Sequence, residues 1–276
     1  MMHRIDQIFY DLRARGQKTL MTFVTAGDPD LATTESLLGA FERAGATVCE
    51  LGIPFSDPIA DGPVMQASMA YALQNGIQTY DVLEMVSRCR QNTTLGLVAM
   101  VSFSIVYRLG AKKFFKEAKN AGIDGLIIPD LPLEESPRIS DLLGAEGLTC
   151  TMLIAPTTSA DRAERIAQSC TGFVYLLARS GLTGEQKTLA ADLPSHIRNI
   201  RSITDLPIVV GFGISNAQQV REVTGIADGA IVASAIMRRV GACRNEPTDQ
   251  LVTQIQEFVT GLAEGLDPTG MRPTTE

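Results

Sequence analysis

Three carboxylates crowd one stretch, ELGIPFSDPIADGP at 50–63: Glu50, Asp57 and Asp61. Glu50 closes an apolar run that reads as a strand. Side chains alternate along a strand, so Glu50 shares a face with Val48. If that face lines a barrel, a carboxylate stands at the top of an apolar interior. Burial there disfavours the anion, raises the pKa and suits the group to proton transfer near neutral pH. Asp61 lies on the following loop, where Pro54, Pro58 and Pro63 restrict the backbone. Asp57 is mid-loop, too far along to share the role of Glu50, and by itself reads as a solvated acid or a cap.

A second group of residues suits an anion. SGLTG at 180–184, GFGIS at 211–215 and VASA at 232–235 are rich in small residues, and each follows an apolar run. Small side chains let backbone N–H groups approach a phosphate, and a helix beginning at Ser234 would add its N-terminus. Other chemistries fit less well. His3 and His196 sit in helix-like segments, away from any serine or carboxylate arrangement for a triad or a metal. No Walker A pattern occurs. Lys187 is the lysine nearest the reactive loops and does not end a strand, as a Schiff-base lysine would. These residues alone indicate a phosphate-binding enzyme that uses carboxylate acid–base chemistry without metal.

Something must hold these groups together. Apolar runs at Leu20–Thr25, Thr47–Leu51, Leu95–Val101, Gly125–Ile128, Thr149–Ile154, Phe173–Leu177, Pro207–Val210 and Gly229–Val232 read as parallel strands covered on both faces. Helical patterns lie between them at 31–44, 110–121, 134–146, 160–169, 190–203 and 216–224. The interval after the second strand is longer, with helices near 63–75 and 79–91. Alternation of this kind predicts a closed (β/α)₈ TIM barrel carrying an extended loop-helix insertion after strand 2. An open doubly wound sheet is the alternative; no G-x-G-x-x-G follows the first strand to favour it. Both reactive clusters then fall on loops at the C-terminal ends of strands, where barrels place their active sites.

Composition narrows the rest. The 276 residues, 45% of them hydrophobic, suit one barrel over 1–266, with the tail DPTGMRPTTE reading as disordered. A net charge of −7 and a basic run no longer than Arg238-Arg239 speak against nucleic acid and anionic membrane as partners. No apolar stretch is long enough to span a bilayer. The opening MMHRIDQIFYDLRARG repeats apolar residues at Ile5, Ile8, Phe9 and Leu12, the spacing of an extra N-terminal amphipathic helix rather than of a signal peptide. Five cysteines, at 49, 89, 150, 170 and 243, lack C-x-x-C spacing and read as buried thiols of a cytoplasmic protein.

With these motifs in place, the chain resembles the tryptophan synthase alpha-subunit family along nearly its whole length. ELGIPFSDPIADGP carries most of the resemblance. FVTAGDP at 23–29, PDLPLEES at 129–136, YLLARSGLTG at 175–184 and GFGIS at 211–215 follow in the family's order. The resemblance implies a retro-aldol cleavage of indole-3-glycerol phosphate to indole and glyceraldehyde 3-phosphate. It assigns acid–base work at indole C3 and the glycerol hydroxyl to Glu50, and acceptance of the indole N–H to Asp61. It places Tyr175 near the glycerol chain and Thr183 on a closing loop. Gly184, Gly213, Ala233 and Ser234 become phosphate contacts. Phe23, Ile127, Phe212 and Ile231 become walls around indole. Asp57 and Pro58 would face a beta subunit, with pyridoxal phosphate held only in that subunit and an alpha2-beta2 tetramer as the assembly.

The chain departs from the family pattern in two places. Ser102 and Ser104 replace a Tyr-x-Asn sequence, removing an aromatic wall and an amide. Ala233 replaces a glycine, which is costly if the position needs a positive φ. A stand-alone indole-releasing lyase and a non-catalytic regulator of a beta-like partner are the alternatives at this stage.

Overall fold

A computed structural model describes residues 2–58, 61–178, 192–211 and 213–266. Its strands are β1 (Thr19–Thr25), β2 (Val48–Gly52), β3 (Gly96–Met100), β4 (Gly125–Ile127), β5 (Thr149–Thr151), β6 (Leu153–Ile154), β7 (Val174–Leu177), β8 (Ile208–Gly211) and β9 (Gly229–Val232). All pair in parallel, in the order β5-β4-β3-β2-β1-β9-β8-β7-β6. The two ends of that order are consecutive pieces of chain separated only by Met152, so the sheet closes into an eight-position barrel. The expected fifth strand is thus split. Its first half pairs with β4 and its second with β7, and the Met152 carbonyl accepts the Tyr175 N–H at 3.2 Å across the seam.

Helices cover the outside: α1 (Arg4–Ala14), α2 (Leu31–Arg43), α3 (Pro63–Gln74), α4 (Thr79–Cys89), α5 (Phe103–Leu109), α6 (Ala111–Ala121), α7 (Ser136–Ala145), α8 (Ala160–Ser169), α9 (Leu193–Arg201), α10 (Ala217–Thr224), α11 (Ser234–Ala242) and α12 (Thr248–Ala263). Helices α3 and α4 are the expected insertion after the second strand. Helices α5 and α12 were not expected; α12 packs on α2, with Arg43 donating to Gln256 at 3.1 Å.

Two cores result. The larger lies between strands and helices. The smaller fills the barrel with Met21, Val48, Val98, Ile127, Phe173, Tyr175, Val209 and Ile231. Helix α1 stoppers the lower mouth. Its Ile5 and Phe9 join the inner core, the Phe9 ring 5.7 Å from that of Phe173. Gly96 makes room for this seat, since a Cβ there would lie 2.6 Å from Ile5.

Candidate active site

The strand register decides which side chains look inward. Val48 belongs to the inner core, so Glu50, two residues on, points to the same interior one layer higher. Glu50 is fully buried, and neither carboxylate oxygen has a hydrogen-bond partner among the described residues. Burial first, then the charge of Asp61, pushes its pKa up to about 8. Asp61, half-buried, is pushed up to about 6, also by burial. Two carboxylates within electrostatic reach thus hold different protonation states at neutral pH: Glu50 mostly protonated, Asp61 mostly ionised.

The elements around them fix this arrangement. Phe23, buried on β1, is the register partner of Glu50. A Cβ on Gly52 would strike the Phe23 ring, so that glycine lets Phe23 lie over the end of β2. Tyr175 comes from β7 on the opposite side of the barrel. Burial, and then Glu50 and Asp61, raise its phenol well above the ordinary value. Gly211 is needed beside it, because any Cβ there would collide with the Tyr175 ring. Asp61 is tied down through its backbone: Gln66 of α3 donates to its carbonyl at 2.8 Å.

On the neighbouring strand ends, Gly213 follows β8, and Ala233 and Ser234 follow β9; β8 and β9 pair directly. Gly213 has φ +80°, a conformation that favours glycine. Ser234 begins α11; the Ile236 and Met237 N–H groups turn back to the Ala233 carbonyl, which leaves those of Ser234 and Ala235 without an acceptor in the helix. Ala233 has φ −115°, so the alanine is unstrained there and the cost expected from a positive φ does not arise.

Ile127 and Ile231 belong to the inner core with Tyr175, and Ile127 is the register partner of Met100. The cavity that opens beside Asp61, about 340 Å³, is walled by Ile53, Met69, Met100, Ser102, Pro129 and Asp130, with Asp57 and Pro58 at its edge. Sequence reading missed Met69, Met100 and Asp130. Parity was the available signal for Met100, which continues the inner face of Val98. Thr183, Gly184, Phe212 and Lys187 lie outside the described residues. His196 pairs with Asp192 at 3.0 Å in the first turn of α9, away from the site. All five cysteines are buried and unpaired by disulfides.

Known proteins with this arrangement share its sequence as well. The family described as tryptophan synthase alpha chain matches residues 9–266. The chain belongs to the tryptophan synthase alpha chain family. The tryptophan synthase alpha chain of Caldanaerobacter subterraneus subsp. tengcongensis is 42% identical over 265 residues, covering 96% of this chain and 100% of that one. The solved tryptophan synthase subunit alpha of Legionella pneumophila strain Paris superposes with a TM-score of 0.88 at 32% identity, covering 97% and 99% of the two chains. A chain of the Mycobacterium tuberculosis tryptophan synthase in its aminoacrylate-bound form superposes at 0.84 with 25% identity, covering 96% and 100%. Membership makes this chain a carbon–carbon lyase of tryptophan biosynthesis, of the type that cleaves indole-3-glycerol phosphate.

Proposed function

We propose that Glu50 and Asp61 carry the cleavage, with the buried and unpartnered Glu50 carboxyl as the group that moves the proton. This observation carries the reading: a carboxyl with a pKa near 8 holds a proton at neutral pH, and no hydrogen bond among the described residues competes for it. Glu50 gives that proton to indole C3, and the ring becomes an indolenine-like cation at nitrogen. Asp61, ionised, accepts the ring N–H and stabilises that positive charge. Glu50, now a carboxylate, takes the proton of the glycerol hydroxyl next to the ring. The carbon–carbon bond breaks, its electron pair returns to the ring, and indole and an aldehyde remain. Glu50 ends protonated, as it began. Tyr175 and Phe23 wall the reacting end. Backbone N–H groups at Gly213, Ala233 and Ser234 hold the phosphate, together with Gly184. Thr183 belongs to the loop that excludes water, and Phe212, Ile127 and Ile231 complete the apolar surroundings of indole.

The partner is a beta subunit, in an alpha2-beta2 assembly. Pyridoxal phosphate belongs to that subunit, and this chain works without a cofactor or metal. Asp57 is exposed and accepts from Ser56 at 2.6 Å on the loop proposed to face the partner. A second cavity of about 640 Å³ lies between that loop and the segment after β3, walled by Pro54, Phe55, Tyr80, Ile105 and Arg108. Tyr107 stands 78% exposed in the same segment. These features support docking on the C-terminal face. The cytoplasm is the proposed compartment; no described helix is long and apolar enough to cross a membrane.

An assay of indole release with and without a beta subunit tests the reading. A low rate that rises as partner is added is expected. A full rate with no binding makes the chain a stand-alone lyase, and tight binding without cleavage makes it a regulator.

A further inference from the structure

The cavity beside Asp61 ends in a polar chain with a fixed direction. Ser102 Oγ donates to Asp130 Oδ2 at 2.7 Å. A hydroxyl has one proton, so the 2.8 Å contact between Ser102 and Ser104 must use the proton of Ser104. The Ser104 N–H also donates to Ser102 Oγ, at 3.2 Å, and the Phe103 N–H donates to Asp130 Oδ1 at 2.7 Å. Every proton in the chain therefore runs toward Asp130. What remains for a ligand is acceptor capacity only: lone pairs on Ser104 Oγ and on the exposed carboxylate.

The orientation of the substrate follows from the proposed roles of Glu50 and Asp61, on which this inference rests. Both the ring nitrogen and C3 belong to the five-membered ring, and both are held by groups from β2 and its loop. The benzene ring must then extend away from β2, across the end of β3 toward β4. Met100, Pro129 and Met69 wall that direction, and Ser102, Ser104 and Asp130 close it. Methionine walls adapt to a changed ring outline. The cavity, about 340 Å³, is at the small end of the ~300–1,000 Å³ range for ligand sites. We propose that this chain accepts indole-3-glycerol phosphates bearing a hydrogen-bond donor, such as a hydroxyl, on the benzene ring, with Ser104 and Asp130 as the specificity-determining residues.

The test compares three substrates with the full chain plus a beta subunit: the parent, a benzene-ring hydroxy derivative, and the methoxy derivative at the same ring position. Cleavage of the hydroxy compound within about tenfold of the parent is expected, with the methoxy compound at least about tenfold worse than the hydroxy compound, because its methyl group displaces the water that solvates Ser104 and Asp130 and its oxygen offers them no proton. Ser104→Ala and Asp130→Asn should each lower the hydroxy-to-parent ratio of kcat/KM several-fold. Calorimetry with free hydroxyindole and methoxyindole reads the same preference without catalysis and covers a variant that folds poorly. Equal handling of hydroxy and methoxy compounds, or a ratio unmoved in both variants, overturns the inference. Failure to cleave the parent overturns instead the assignment of Glu50 and Asp61, while the calorimetric preference still decides the inference.

Discussion

Two buried carboxylates, Asp124 at the lower end of this barrel and Glu50 at the upper, are treated in opposite ways. At the lower end, Asp124 precedes β4 and receives Arg90 at 3.2 Å, Arg4 at 3.3 Å and the Leu97 N–H at 2.9 Å. Asp228 precedes β9 and pairs with Arg201, with Lys18 at 3.9 Å and with the Ile208 N–H at 2.9 Å. At the upper end Glu50 has no such donor among the described residues. Burial raises Asp124 too, but the Leu97 N–H, Arg90 and Arg4 pull it back, whereas a second carboxylate pushes Glu50 further up. The same chemical group serves structure where donors surround it and proton transfer where they are withheld. Placing a hydrogen-bond donor beside Glu50 would hold the anion and remove its readiness to protonate carbon.

Glu50→Gln should produce the largest effect. It should lower indole release by at least ~100-fold, since an amide cannot carry the proton, with the circular dichroism of the fold retained. The same variant sharpens the contrast through stability. The pKa of Glu50 rises on folding from 4.5 to about 8, so the folded chain keeps a proton that the unfolded chain releases. Its contribution therefore weakens as pH rises between those values, and levels off above about 8. The melting temperature of Glu50→Gln relative to wild type should climb through that window. A pH-independent difference would show that Glu50 is not held protonated.

Asp61→Asn should come next, cutting turnover by about tenfold or more, the contribution of a charge at a developing cation. In the wild type, activity should fall below about pH 6 as Asp61 takes up a proton, and above about pH 8 as Glu50 loses one. The asparagine variant should lose the acidic limb and keep the basic one. At the lower end the expectation reverses. Asp124→Ala should destabilise the chain by ~3–5 kcal/mol, because Arg90 is left buried without its partner. Its kcat, measured below the melting transition, should stay at the wild-type value. A loss of kcat there would break the division between Asp124 and Glu50. Smallest is Gly213→Ala. A left-handed backbone with a Cβ costs ~1–3 kcal/mol, so glycerol phosphate affinity should drop several-fold with the barrel intact.

The strands were legible because each is an apolar run covered on both faces, and Glu50 was legible because it interrupts one. The split at Met152 was not, since TCTMLI reads as one continuous run and only pairing with two different neighbours divides it. Helix α5, with seven residues, is too short to establish a period. Helix α12 did carry one, burying Leu251, Ile255, Val259 and Leu262, and was passed over because it follows the last strand rather than linking two. Asp130 escaped notice for another reason. Its place beside Asp61 depends on two loops meeting above β3, and no spacing within either loop records that. The conformation of Ala233 depends likewise on how β9 enters α11.

Helix α1 has a consequence for traffic. With Ile5 and Phe9 set against Phe173, the lower mouth is plugged by the same apolar contacts that complete the core. Substrate and both products must then share the upper doorway. In the proposed pose the ring lies in the cavity edged by Asp57 and Pro58 and leaves past that edge, where a docked partner would stand to receive it.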